Sequence, residues 1–535
     1  LSERSVVLMA SLLLAGCSVG PDFKPPSLWS PTSWFDGRPP DPAHLAAAGQ
    51  RRSHGRPLRV ASVPVESPPD PHWWDQFGDP ELSALEVRVA HANLDVRLAT
   101  IRLVESRAQL RVTAANEFPS LNGSAAYTRT QLSSKEFERG LSDAVSSGGL
   151  GNLLGNGNTN ALRAEAGSIK IPALDEWQDG IDASWELDLW GRVRRSVESA
   201  HASLQASEED RRSVLITQFS EVARDYMMLR GLQAQLAILH DDLRVAQQAV
   251  TLTRQRFTGG LTTDLDVENA VSQVDTTAAQ IPDLERQVAQ QVNALGYLLG
   301  EPPRALRDEL DRGARIPPVP PSVPVGVPSE LARRRPDIRE AEAQLHAATA
   351  SVGVAVANFY PKVTLSAGLN FESLSLRDLG FWSARAYNFG PTISLPIFQG
   401  GRLRGQLELN EAQQQEAAIN YQKTVLQAWQ DVDNALTAYE DEQRRRDALD
   451  RSVRSARRAL DLAQQQYAHG LQTFINVLDA ERSLFNAQGQ LASSTATVSS
   501  DLVQLYNALG GGWERTFPLR GAQASAAGRA GNPPS

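Results

Sequence analysis

A chain of 535 residues with a single cysteine cannot close a disulfide within itself. The same scarcity removes thiolate metal sites and paired-thiol redox chemistry. Its eight histidines are scattered, with no two four residues apart, and no nucleophile motif stands out, so catalysis is not expected. A basic surplus is missing too. Lys and Arg number 53 against 62 Asp and Glu, a net charge of −9 that gives no support to nucleic-acid binding. No apolar run reaches the roughly 18 residues of a membrane-spanning helix. Membrane residence would have to come from strands or from a lipid.

What is present is modest apolar content and long stretches of Ala, Gln, Arg, Glu and Leu, the composition of extended helices. Between two such stretches, residues 357–405 hold two runs of period-two alternation. Val363, Leu365, Ala367, Leu369 and Phe371 alternate with polar or small residues, and so do Tyr387, Phe389, Ile393, Leu395 and Ile397. Successive strand side chains point to opposite faces, so each run has one apolar and one polar face. About 10 residues is also the length a tilted strand needs to cross a bilayer. A soluble sandwich strand would alternate as well, so the pair alone is ambiguous.

The same unit occurs earlier. Ala115, Asn116, Pro119 and Leu121 match Ala357, Asn358, Pro361 and Val363 at an offset of 242, and Gly191-Arg192-Val193-Arg194 matches Gly401-Arg402-Leu403-Arg404 at 210. The offset holds further on, where Phe257, Gly260, Leu261, Thr263 and Val267 fall on Tyr467, Gly470, Leu471, Thr473 and Val477. The spacing predicts a tandem duplication of helix, strand, strand, long helix, helix, with the extra residues of the first copy placed in its strand–strand loop.

In chain order, residues 1–16 read as a short secretory signal, apolar from Val6 to Leu14 except for Ser11, before Leu14-Ala15-Gly16-Cys17. Small residues ahead of that cysteine resemble the lipobox of bacterial lipoproteins, which implies a covalent lipid on Cys17 and no other cofactor. Ser18 after it favours outer-membrane sorting. Residues 17–72 are expected to be a lipidated extended tether. The first repeat covers 73–300, beginning with a helix after Asp79-Pro80 whose apolar positions are Leu82, Leu85, Val89, Leu94, Leu98, Ile101 and Val104. Its strands are expected at 121–129 and 181–190. The second strand carries Asp182, Glu186 and Asp188 on its polar face, read as solvated wall residues rather than an acid–base site. The glycine-rich 130–176 between them reads as a long external loop.

Residues 192–258 read as one helix. Leu215, Val222, Leu229, Leu236, Leu243, Val250 and Phe257 form a strict seven-residue series, with Leu232, Leu239 and Ala246 three residues on, which is coiled-coil spacing. The series 210 residues later is Val425, Val432, Tyr439, Arg446, Val453, Leu460 and Tyr467, broken only at Arg446. Each long helix is expected to turn at Gly260 or Gly470 and return as a shorter helix ending near Gly300 or Gly510. A proline-rich connector (301–328), the second repeat (329–513) and a disordered tail (514–535) complete the chain.

Four membrane-length strands cannot close a barrel, and an open sheet edge is not tolerated in hydrocarbon. Strands in a membrane would therefore have to be pooled by several chains, in a number that pattern alone leaves open. The fold class is thus a mixed α/β membrane protein with long α-helical hairpins, an internal tandem repeat and a β-barrel shared between subunits, four strands per chain.

Further signatures stand in order along the chain: Cys17 to Phe23 with Pro26, Trp73-Trp74 with Phe77, Asp79 and Pro80, then Arg335-Pro336-Asp337-Ile338-Arg339. Gly400-Gly401-Arg402-Leu403 and Leu509-Gly510-Gly511-Gly512-Trp513 complete the series. With these the sequence resembles the outer-membrane efflux protein family (TolC-like channels), in the lipoprotein branch that serves resistance–nodulation–division pumps. The resemblance implies a homotrimer with a 12-stranded barrel above a periplasmic helical tunnel. It also implies a periplasmic adaptor, an inner-membrane pump and outer-membrane lipids as partners. The implied role is the passive outer-membrane channel of a tripartite efflux pump. A protein-secretion channel is the alternative, and a lipid-anchored periplasmic helical scaffold comes third. The resemblance puts a periplasmic gate just after the hairpin glycines, at Asp479, Asn476, Leu478, Phe474, Gln472 and Asp266. Gln472 stands where some members have a basic residue, so the closed state is expected to rest on packing around Leu478 and Phe474 and on three copies of Asp479.

Overall fold

A computed structural model of the chain describes residues 18–26, 31, 33–34, 62–68, 70–131, 173–311, 313 and 315–514. The leader, Cys17, most of the 130–176 loop and the tail beyond Glu514 lie outside the described residues. Two compact units emerge, one of Leu1–Asp22, Gln109–Ala200 and Thr349–Ala412, the other of Phe23–Ala108, His201–Ala348 and Gln413–Ser535.

The first unit is built on a four-stranded antiparallel sheet in the order β2-β3-β5-β6. Its strands are β2 (Ser120–Thr130), β3 (Leu174–Leu187), β5 (Lys362–Ser373) and β6 (Arg385–Ser394). β3 starts seven residues before the expected 181 and stops three before 190, because Asp188 is recruited to cap the helix that follows. β6 likewise ends at Ser394, leaving Ile397 and Phe398 outside the sheet and almost fully exposed. Residues 19–22 pack against this unit. Val19 N–H donates to Trp190 O at 3.1 Å, and Asp22 meets Arg195 at 2.5 Å. A Cβ on Gly20 would fall 2.5 Å from the Gly353 Cα, so two glycines are what let these backbones approach.

The second unit is helical. α1 (Pro80–Ala92) is capped by Asp79, whose carboxylate accepts from Glu81 and Leu82 N–H. α2 (Leu94–Ala114) does not continue it. Asn93 sits between them with a non-helical backbone, and its buried side chain bonds Gln218, Leu298 O and the N–H groups of Asp95 and Val96. That interruption shifts the helical phase. Leu82, Leu85 and Val89 are buried as expected, but beyond the break Val96, Ala99 and Leu103 face inward while Leu94, Leu98, Ile101 and Val104 are exposed.

The long helices are α3 (Arg192–Thr258) and α8 (Arg402–Ala468), each 67 residues, or about 100 Å at 1.5 Å per residue. Each is followed by a 35-residue return helix, α4 (Asp264–Leu298) and α9 (Phe474–Ala508). The proline-rich connector contains α5 (Arg307–Leu310) and β4 (Ser322–Pro324). β4 pairs in parallel with β1 (Val63–Val65), a contact that no local pattern announced. α6 (Pro328–Arg334) and α7 (Pro336–Ala357) follow, with Arg335 between them. Its guanidinium bonds Asp337, Asp431 and Ala508 O, which makes it a hub of this unit.

One large core runs through the second unit. Trp73 stacks on Tyr506 at 5.2 Å and meets Trp74 edge-on, Trp74 meets Phe219, and Arg212 lies 4.7 Å over the Trp513 ring. Along α3 the heptad row is buried at Leu215, Val222 and Leu229, then burial passes to Leu232, Leu239, Ala246 and Thr253. Phe257, expected in the seam, is therefore exposed. Along α8 the row stays buried at Val425, Val432, Tyr439, Arg446, Leu460 and Tyr467. Arg446 thus occupies the seam it was expected to break, its guanidinium turned to Asp447.

Candidate functional site

The sheet sorts its side chains by face. On one face lie the rows Ser120–Ser184–Ser366–Gly390, Asn122–Asp182–Gly368–Asn388 and Ser124–Gly180–Asn370–Ala386. On the other lie Leu121–Ala183–Ala367–Phe389 and Gly123–Ile181–Leu369–Tyr387, with the Tyr127 ring tilted against Trp177 at 4.4 Å near the loop end. Both edge strands, β2 and β6, lack a partner on their outer side among the described residues. Of the three carboxylates expected on the polar face of the second strand, only Asp182 is a simple face residue. Glu186 accepts two bonds of 2.7 Å from Arg192 and meets Lys362 Nζ at 2.9 Å. Asp188 accepts from the N–H groups of Val193 and Arg194, capping α3. Two expected wall acids are thus consumed in local structure.

The far ends of the hairpins form a second region. Gly260 (φ 69°) and Gly470 (φ 71°) take the left-handed conformation that ends α3 and α8. Leu261 N–H donates to Arg256 O and Gly260 N–H to Phe257 O, and the same pair recurs as Leu471 to Gln466 and Gly470 to Tyr467. These are the reciprocal bonds of a glycine-terminated helix, which a side chain at either glycine would strain. The two turns are held together by Arg256, which lies 4.4 Å over the Tyr467 ring and donates to Tyr467 O at 3.2 Å.

The gate residues divide there. Phe474 and Leu478 are buried in the chain's own tip cluster with Ala270, Leu460, Tyr467 and Val477. Both side chains pack within one chain. Asp479, Asn476 and Gln472 are exposed, and Asn476 bonds Gln472 rather than a cation. Asp266 is half-buried and accepts from Thr262 within its own turn. Among the described residues Asp266 and Gln472 share no hydrogen bond. Cys17 lies outside the described residues.

Sequence reasoning missed a polar network behind the tip. A cavity of about 220 Å³ is lined by residues that include Asp242 of α3, Arg457 of α8 and Glu481 of α9. Glu481 is buried, and burial followed by the negative charge of Asp242 pushes its carboxyl up to about 7, against a hydrogen bond to Gln464 of α8. Thr277 of α4 bonds Asp242, Gln273 bonds Thr277, and Arg482 of α9 donates to Gln273 at 2.8 Å. All four helices are tied at this level. A lone Glu at a mid-helix position was the only sequence signal.

A family model described as "Outer membrane efflux protein" matches residues 87–301 and again 327–511. A Salmonella typhimurium protein described as "Probable outer membrane lipoprotein SilC" is 32% identical over 509 residues, covering 94% of this chain and 97% of its own. The Pseudomonas putida "Toluene efflux pump outer membrane protein TtgI" is 31% identical over 514 residues, 95% of this chain and 98% of its own. The solved outer-membrane channel OprN superposes with a TM-score of 0.77 at 30% identity, over 93% of this chain and 100% of that one.

Proposed function

Since the chain belongs to the outer membrane efflux protein family, we propose that it is the outer-membrane channel of a tripartite efflux pump, a passive conduit rather than an enzyme. The observation that carries the reading is the open four-stranded sheet, apolar on one face and polar on the other, joined in the same chain to two 67-residue helices. A sheet with two free edges cannot rest in hydrocarbon unless another chain covers them. β6 runs toward the helices and β2 away from them, so β6 of one copy beside β2 of the next continues the antiparallel order. Three copies of four strands would close a barrel of twelve, an even number with the polar face lining the lumen. The exposed Leu94, Leu98, Ile101 and Val104 offer an apolar face to a neighbouring copy.

In this reading the chain arose by tandem duplication, Cys17 carries the lipid, and the hairpins extend into the periplasm. The hairpin ends meet an adaptor protein, and an inner-membrane pump supplies the energy. The gate would be formed by Asp479, Asn476 and Gln472 of three copies, with Asp266 beside the turn, while Phe474 and Leu478 stiffen each tip from within. Like charges converging at Asp479 favour a bound cation or an open state.

The test is the native mass of the detergent-extracted chain together with its conductance in a planar bilayer. A trimer that conducts, with Asp479→Ala raising the conductance, is the expected result. A monomer that neither assembles nor conducts would remove the proposal.

A further inference from the structure

The two repeat-related arginines at the strand–helix junction differ in their partners, and the difference leaves positive charge facing a cavity. That cavity, about 370 Å³, is lined by Glu186, Asp188, Trp190, Arg192, Tyr360, Lys362, Gln399 and Arg402 among others. At the first repeat's junction each cation, including Lys362 from the second repeat, meets a carboxylate. Arg192 and Lys362 both go to Glu186, and Arg194 goes to Asp188, which also caps the helix. Arg402 stands 210 positions after Arg192, but the positions matching Glu186 and Asp188 are Pro396 and Phe398. Its guanidinium bonds only the neutral Gln399 amide oxygen, at 3.3 and 3.1 Å, and meets no carboxylate among the described residues. The cavity wall therefore holds three cations (Arg192, Lys362 and Arg402) against two carboxylates, Glu186 and Asp188.

We propose that this cavity binds a phosphate group, either on a free small molecule or on a lipid headgroup. A phosphodiester carries one negative charge near neutral pH, which matches the surplus of one, and a phosphate monoester carries close to two. Arg402 presents a planar fork suited to two phosphate oxygens and gives up only a neutral partner to do so. Lys362, with its ammonium half-exposed, is placed to add a second cation from the same wall. The stacked Trp190 and Tyr360, 4.8 Å apart, form an aromatic wall for whatever carries the phosphate. The proposal goes beyond the channel reading, and it is read by binding, whether or not the chain conducts.

The experiment uses the full chain extracted in detergent, titrated calorimetrically with phenyl phosphate, and separately the chain recovered from phosphatidylcholine vesicles with or without phosphatidylglycerol, analysed by native mass. Arg402→Gln should weaken the bound partner at least tenfold, Arg402→Lys should restore part of it, and Arg451→Gln on the exposed face of α8 should change nothing. Pro396→Glu, which places a carboxylate where the first repeat has Glu186, should abolish binding. Saturable phenyl phosphate binding lost in Arg402→Gln supports a free ligand. Phosphatidylglycerol retained by the wild type and lost in the same variant supports a headgroup. Phenyl phosphate and phosphatidylglycerol behaving alike in the wild type and Arg402→Gln would overturn the site, and this outcome is distinct from a failure to assemble or conduct.

Discussion

The aromatic core around Trp73 and the cluster at the hairpin tip belong to the same helical unit but are built to different depths. The first joins segments from both ends and the middle of the chain, with Trp73, Trp74, Phe77, Phe219, Tyr506 and Trp513 packed among buried aliphatics. The second has only Ala270, Leu460, Tyr467, Phe474, Val477 and Leu478 as its buried members. Beside it Leu261, Leu265 and Leu471 are each more than two-thirds exposed. Apolar burial is the main source of folding free energy, so the two regions differ in local stability. The shallow cluster lies at the hairpin turns and the deep one elsewhere in the unit.

The largest effect should come from the deep core. Trp73→Ala removes a fully buried ring that touches Trp74, Phe77 and Tyr506, and a loss of about 3–5 kcal/mol is expected. A fall in Tm of the detergent-extracted protein measures it, and an unchanged Tm would refute the assignment of stability to this core. Phe474→Ala removes a ring buried to 2% exposure, with a cost of about 3–5 kcal/mol by the same rule. Here the loss should be local. Hydrogen exchange should quicken across residues 460–484 while the Tm of the whole protein shifts less than for Trp73→Ala. Equal shifts in Tm would mean that the tip is not an independent unit.

The same contrast explains what could be read from the sequence. The long helices were legible to their ends because glycine turns and a seven-residue apolar row are local signals, and both repeats carry them. The sheet was legible in its faces but not in its ends. Asp175 and Asp179 fall on the apolar face of β3 and hide its first residues, while Asp188 serves the helix rather than the strand. At Asn93 the apolar spacing runs on through a break that only its four tertiary and capping bonds reveal, so Leu94, Leu98, Ile101 and Val104 could not be told from core. Glu86 is the converse case. It shares the buried stripe of Leu82, Leu85 and Val89, and neither carboxylate oxygen has a partner among the described residues. Burial holds its carboxyl well above the usual range. At the tip, Phe474 and Leu478 were legible as apolar but not as facing inward, since one helix shows its stripe and not the neighbour it meets.

The tip should also respond to pH through a buried carboxyl of its own, separate from Glu86 in the deep core. Facing the Glu481 carboxyl are Asp242, Asp241 and Arg244 of α3 and Arg457 and Gln464 of α8, with Arg482 on its own helix. Burial raises Asp242 as well. A carboxyl whose folded pKa is about 7 against 4.5 when unfolded stabilises the fold fully below pH 4.5. That contribution is lost as pH rises through about 7, and it amounts to roughly 3 kcal/mol at most. Exchange protection at the tip should therefore fall between pH 5 and 8 in the wild type (flanking the pKa near 7) and stay flat in Glu481→Gln. A slope that survives the substitution would place the titration elsewhere.

The smallest expected effect is at the clasp between the two hairpins. Arg256 reaches from the end of α3 to the ring and carbonyl of Tyr467 at the end of α8, the one cation–π contact at the tip among the described residues. Arg256→Lys keeps the charge but loses the planar face that stacks on the ring, which should cost about 0.5–2 kcal/mol. The readout that separates the clasp from ordinary packing is distance. Spin labels at exposed Gln255 and Gln465, one on each long helix, should broaden in separation in Arg256→Lys with no change in Tm. An unaltered distribution would mean that the shallow apolar cluster alone holds the tips together, and that the deep and shallow regions differ in size but not in kind.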